Sequence, residues 1–184
     1  NKYNEQQDNF EHYKFNYNTE SISDNEIWDL TQLDNDYLWV ATNNGIDKID
    51  IVSNNIIKIN KKNNNSIISN QIRSFLKTKD GNLWINTVYN ISFYNVEKNI
   101  FTHYKYPPKT TIESHVKNAP VLFEDSKNQI LLGYELGLAK FNPQKQQFEA
   151  FTINNSEAVT SPVRVVCEDF KGNLWIGTYE GLYI

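Results

Sequence analysis

The 184-residue sequence contains no Met and a single cysteine, Cys167. One cysteine cannot close an internal disulfide, which excludes a small disulfide-stapled scaffold. Cys167 lies between Val166 and Glu168 and is expected to be a small buried side chain. The three histidines, His12, His103 and His115, lack metal-ligand spacing. His12 and His103 fall on comparable segments and are expected to face solvent. No apolar run reaches 18 residues, so no membrane-spanning helix is expected in this segment, and no signal peptide is visible. No apolar stripe with a 3.6-residue period is sustained, which argues against an amphipathic helix. The net charge of −4, with no basic stripe, argues against a binder of nucleic-acid backbones. There is no Gly-rich phosphate loop and no nucleophile–base pair, so neither an enzyme nor a cofactor or metal is expected. A chain without Met is also expected to be a stretch of something longer.

Aromatics are plentiful, with 11 Tyr, 10 Phe and 4 Trp, as a sheet protein prefers. One segment recurs. Near the C-terminus it reads Gly172-Asn173-Leu174-Trp175-Ile176-Gly177-Thr178-Tyr179-Glu180-Gly181-Leu182. Earlier copies are Gly81-Asn82-Leu83-Trp84-Ile85-Asn86-Thr87 and Tyr37-Leu38-Trp39-Val40-Ala41-Thr42-Asn43-Asn44-Gly45-Ile46. A weaker copy runs from Asn128 to Leu138, with Leu131 in the Trp place. Anchors at 39, 84, 131 and 175 are spaced by 45, 47 and 44 residues. That period fits a four-stranded antiparallel blade, and the chain is expected to be an all-β propeller of about four blades. A lone blade cannot cover its two apolar faces, whereas stacked blades bury both.

The predicted blades occupy 21–62, 63–109, 110–155 and, incompletely, 156–184. Blade one has strands at Ile27–Leu33, Leu38–Thr42, Ile46–Val52 and Ile56–Ile59. Blade two has Gln71–Leu76, Leu83–Thr87, Ile91–Val96 and Ile100–Tyr106. Blade three has Pro120–Glu124, Ile130–Tyr134, Leu138–Phe141 and Phe148–Ile153. The last has Val163–Glu168, Leu174–Thr178 and Leu182–Ile184, and lacks a fourth strand. Residues 10–20 hold a spare outer strand, Phe10–Phe15, which belongs to a preceding blade or closes the last one. The expectation is an open form belonging to a larger ring; a pairing of Phe10–Phe15 with Leu182–Ile184 would mean closure at four blades.

Trp39, Trp84 and Trp175 share one blade position and are expected to form the packing layer between blades. Gly45, Gly137 and Gly181 are expected at turns with positive φ. Thr42, Thr87 and Thr178 are expected to satisfy backbone groups at the end of the second strand. Asp125 and Asp169, each preceded by Glu, recur six residues before the anchor and are expected to cap turns. A ligand site must come from positions that vary while the scaffold repeats. Eleven residues before the anchor stand Trp28, Arg73, Pro120 and Arg164, at the entry of the innermost strand. An aromatic and two guanidiniums around one funnel suit an acidic or hydroxyl-rich sugar. The insertion from Tyr106 to Lys117, with His115, is a second candidate surface.

The pattern Asp-x-x-Gly-Asn-Leu-Trp-Ile-Gly-Thr-x-x-Gly-Leu from Asp169 to Leu182 resembles the two-component regulator propeller repeat. That resemblance covers all four units and is degraded in the third, where Leu131 and Tyr134 depart from it. It implies the extracytoplasmic sensor region of a Bacteroidetes hybrid two-component system, in which two seven-bladed propellers precede a β-sandwich, a membrane span and cytoplasmic kinase and regulator modules. It implies a periplasmic location, an oligosaccharide ligand released from glycans, and control of polysaccharide-utilisation genes. The implied partners are adjacent blades, a second propeller and the β-sandwich of the same chain, with a homodimer as a further possibility. A protein-interaction propeller is the alternative, and a propeller lyase or glycosidase a more remote one. The spacing Asp-x-x-Gly-x-x-Trp is shared with the Asp-box of sialidases, which is itself a structural turn.

Overall fold

The computed structural model describes residues 1–17, 20–62, 67–107, 120–153 and 157–184. Among them there is no helix; every regular element is a strand. A short hairpin pairs β1 (Lys2–Asn4) with β2 (Asn9–Glu11). Three four-stranded antiparallel meanders follow. The first holds β3 (Ile27–Gln32), β4 (Tyr37–Thr42), β5 (Gly45–Asp50) and β6 (Ile56–Ile59). The second holds β7 (Ile72–Lys77), β8 (Leu83–Thr87), β9 (Ile91–Asn95) and β10 (Ile100–Tyr104). The third holds β11 (Val121–Glu124), β12 (Ile130–Tyr134), β13 (Gly137–Asn142) and β14 (Gln147–Ala150). A two-stranded ribbon, β15 (Thr152–Ile153) with β16 (Glu157–Ala158), precedes a three-stranded sheet of β17 (Val163–Glu168), β18 (Leu174–Thr178) and β19 (Gly181–Tyr183).

The second strand of each blade carries the packing logic. All five residues of β8 and all five of β12 are buried, because each such strand is covered on both faces. Side chains alternate along a strand. The anchor therefore faces the next blade, and its two neighbours face the previous one. Trp39 packs with Leu83, Ile85, Ile72 and Tyr94 of the second blade. Trp84 packs with Ile130, Leu132 and Phe148 of the third. Leu131 packs with Val163, Val166 and Ile176 of the last. The first strands of consecutive blades lie side by side, which makes them the inner strands.

The hairpins between third and fourth strands share one turn. A residue with positive φ closes it in each case: Asn54 at 59°, Asn99 at 53° and Gln146 at 55°. The N-terminal hairpin has the same turn, with Asp8 at 49°. Its register also matches, since Tyr3 opposes Phe10 as Tyr94 opposes Phe101 and Phe141 opposes Phe148. Segment 2–11 thus repeats the outer half of a blade.

Several expectations change here. The strand expected at Phe10–Phe15 is Asn9–Glu11, and it pairs with Lys2–Asn4 rather than with the C-terminal strand. The glycine angles are as expected, at 119°, 123° and 136° for Gly45, Gly137 and Gly181. Cys167 is exposed rather than buried. It stands eight residues before its anchor, as do Leu76 and Phe123, which pack towards the following blade; no blade among the described residues follows the last sheet. Trp175 is half-buried for the same reason, while Trp39 and Trp84 are 1% and 4% exposed. His12 is exposed, but His103 is half-buried with its Nδ1 2.9 Å from Ser92 Oγ. His115 and most of the Tyr106–Lys117 insertion lie outside the described residues.

A bulge-built cleft at the inner strands

Three of the four inner strands break register at one place. Ile27 pairs with Thr42 but Asp29 pairs with Ala41, which leaves Trp28 as the extra residue. Ile72 pairs with Thr87 and Ser74 with Asn86, leaving Arg73 extra. Val163 pairs with Thr178 and Val165 with Gly177, leaving Arg164 extra. A β-bulge re-aims the side chain of its extra residue, and bulges are frequent beside binding sites. The variable position picked out in the sequence is therefore the bulge residue in three of the four blades. Blade three pairs in register from Val121, and Pro120 stands just outside its strand.

The fold brings two of these residues together. The guanidinium of Arg73 lies 3.9 Å from the centroid of the Trp28 ring, a cation–π stack. Asn43 holds the pair. Its Oδ1 accepts hydrogen bonds from Arg73 Nη1 at 2.6 Å and Trp28 Nε1 at 3.2 Å, and its Nδ2 donates to Glu26. Trp28 and Arg73 line a cleft of about 320 Å³ with Asp29, Ser74, Phe75, Pro120, Val121 and Leu122. Asp29 is already engaged there, accepting the N–H groups of Leu30 and Phe75 at 2.7 Å each.

Arg73 is 5% exposed, yet its Nε has no partner. Burial pulls the guanidinium below its ordinary value, while the Glu26 carboxylate and Tyr106 push it up. It stays charged, because no protein environment deprotonates arginine. Tyr106 is tied to the second strand of the same blade. Its hydroxyl donates to Thr87 O at 2.6 Å, and burial drives its pKa well above the usual tyrosine value.

The remaining candidates separate. Arg164 stacks 5.2 Å from the ring centroid of Tyr179 in its own blade and is not part of the cleft. The expected funnel of two guanidiniums and one aromatic is thus one guanidinium and one aromatic, and the guanidinium covers a face of that aromatic. His115 lies outside the described residues.

One residue of this neighbourhood went unnoticed in the sequence. Asn86 replaces the Gly that Gly133 and Gly177 supply at the same place in the repeat. It is fully buried and donates to Ser74 Oγ at 3.0 Å and to Pro120 O at 2.8 Å. A buried polar side chain in a glycine position was the available signal. The scaffold residues behave as expected. Asp169 Oδ1 accepts N–H groups from Lys171 and Asn173 at 2.9 Å each, and Asp125 Oδ1 does the same for Lys127 and Gln129. The hydroxyls of Thr42, Thr87 and Thr178 donate to the carbonyls of Gly45, Asn90 and Gly181.

Register, blade order and packing define a segment of β-propeller. The family model of the two-component regulator propeller matches residues 21–44, 66–89 and 159–180, and these segments are repeats of that family. The third unit, with Leu131 in the Trp place, is left unmatched. The chain is similar in fold to the extracellular domain of a hybrid two-component system of B. thetaiotaomicron, with a TM-score of 0.65 and 22% identity over 98% of this chain and 29% of that one. A second such domain from the same organism gives 0.67 and 20% identity over 92% of this chain and 22% of that one. Virginiamycin B lyase from Staphylococcus aureus gives 0.57 and 15% identity, covering 82% and 48%. The chain therefore spans less than a third of the length of the two sensor domains. No curated protein matches it in sequence.

Proposed function

We propose that this chain is a non-catalytic, ligand-sensing part of the extracytoplasmic region of a hybrid two-component sensor kinase, positioned in the periplasm. Its ligand is an oligosaccharide derived from a glycan, and its output is the control of polysaccharide-utilisation genes. The observation that carries this reading is the two-component regulator propeller repeat in three of the four units. The fold likeness to extracellular domains of hybrid two-component systems supports it. The cleft fits the role: bulges on rigid inner strands present Trp28 and Arg73 without disturbing the packing layer behind them.

Calorimetry of the intact sensor region against a panel of glycan oligosaccharides tests the proposal. Saturable binding of one glycan class, with no turnover of it, is the expected result. A panel without any binder, or a glycan that the region cleaves, would refute the reading.

A further inference from the structure

Resting on that sensing role, we propose that the cleft at Arg73 is a carboxylate subsite, and that the ligand class it selects is the acidic, uronate-type sugar. The argument begins with an unbalanced charge. A buried guanidinium usually stands against a carboxylate, because an unpaired ion in a low-dielectric site is costly. Among the described residues Arg73 has no ion pair. Its one hydrogen bond goes to the neutral Asn43, and its Nε is buried without a partner. Glu26, the acid that acts on its charge, is held by the other end of the same amide. Asn43 thus stands where a carboxylate would, and the fork keeps donors in reserve.

The neighbouring groups point the same way. Trp28 fixes the plane of the guanidinium by stacking on it. A fixed planar fork matches a carboxylate through two parallel hydrogen bonds, which a lysine cannot make. Asp29, the acid lining the cleft, is tied up by two backbone donors and so does not swing onto Arg73. Phe75, Val121 and Leu122 give the cleft apolar walls, suited to the ring of a sugar whose charged group reaches the arginine.

The test titrates the chain with sodium glucuronate, with glucose and sodium sulfate as comparators. Heat and tryptophan fluorescence are read together. Trp28, at 44% exposure, is the most exposed of the four tryptophans and stacks on Arg73, so a ligand arriving there should change its emission. Glucuronate is expected to bind saturably and at least about tenfold more tightly than either comparator. Arg73→Lys should weaken glucuronate about tenfold, and Arg73→Gln should abolish the preference for it over glucose. Equal binding of glucuronate and glucose, no binding of glucuronate, or equal binding of sulfate would each overturn the carboxylate subsite. So would an Arg73→Lys variant that melts like the parent and binds glucuronate as tightly. If Arg73→Gln fails to fold, the parent titration and Arg73→Lys still decide. A neutral oligosaccharide bound by the intact region while glucuronate fails here would refute this subsite and leave the sensing role standing.

Discussion

The carboxylate of Glu168 accepts both the backbone N–H and the hydroxyl of Ser126, each at 2.6 Å, across the junction between the last two blades. One blade earlier Glu124 accepts the backbone N–H of Lys79 at 2.8 Å. These acids stand seven residues before the anchor and stitch each inner strand to a turn of the preceding blade. Glu168→Ala is expected to destabilise the fold by about 1–2 kcal/mol, since it leaves two donors to solvent or unpaired. Glu168→Gln should cost less. Urea unfolding monitored by circular dichroism checks this, and an unchanged midpoint for Glu168→Ala would show that the stitch contributes nothing.

The anchors should not be equal. Trp84 is enclosed by Phe93, Tyr104, Phe141 and Phe148, with ring centroids between 4.9 and 5.7 Å away. Trp84→Ala is expected to cost about 3–5 kcal/mol. Trp175 is half-buried, so Trp175→Ala should cost markedly less in this chain. Equal losses in thermal melts would mean that the outer face of the last blade is covered in solution.

The glycines offer the same comparison through the backbone. A Cβ at Gly137 would lie 1.5 Å from Val159 O, whereas at Gly181 it would meet nothing within 4 Å. Both have strongly positive φ, which costs a non-glycine residue about 1–3 kcal/mol. Gly181→Ala should show that cost alone. Gly137→Ala should exceed it clearly, because the following segment must also move. Differential scanning of the two variants gives the answer, and matching melting temperatures would contradict the packing described.

Acid should loosen the last two blades. The hydrogen bond from Trp175 Nε1, then those from Asn173, hold the Asp169 carboxyl at about 2, against an ordinary 3.8. Hydrogen bonds from Lys145, Asn142 and Gln147 hold Glu149 at about 2 as well, against 4.5. A carboxyl with a depressed folded pKa contributes stability that is fully present above its ordinary pKa. That contribution is lost as pH falls through the folded value. The melting temperature should therefore decline between about pH 4.5 and pH 2. Asp169→Asn should lower it at neutral pH and flatten part of that decline. A variant with the parent's full acid slope would rule out Asp169 as a source.

The chain should self-associate when isolated. Leu182 and Ile184 are 62% and 68% exposed, and among the described residues β19 has a partner on one side only. At the other end an apolar cavity of about 300 Å³ opens beside Tyr13, Ile22, Leu38, Val40 and Ile49. Leu38 and Val40 are the anchor-flanking residues that, in later blades, pack on the blade before. Uncovered faces and strand edges favour association. Light scattering that shows a monomer at all concentrations would sink this expectation.

The blade plan was legible because a strand buried on both faces must spell out both packing layers. Leu83-Trp84-Ile85 and Ile130-Leu131-Leu132 do so, and their strands begin and end where the sequence places them. Capping roles were legible too, since Asp169 and Thr178 act within a few residues of themselves. The hairpin at 2–11 is only half legible in the sequence. Tyr3-Asn4 and Phe10-Glu11-His12-Tyr13 mirror Tyr94-Asn95 and Phe101-Thr102-His103-Tyr104, but three-residue strands carry little periodicity of their own.

Sequence alone determined the repeat, the strand order within a blade and the positions that vary at the inner strand, because these depend on local period and turn chemistry. Tertiary structure alone decided which varying residues meet. Trp28 and Arg73 are brought into contact by the bulges and by the blade-to-blade offset, while Arg164 turns to Tyr179. It also decided that Cys167 and Trp175 are less buried than their counterparts, because burial of a blade face depends on what packs against it and not on the residues that form it.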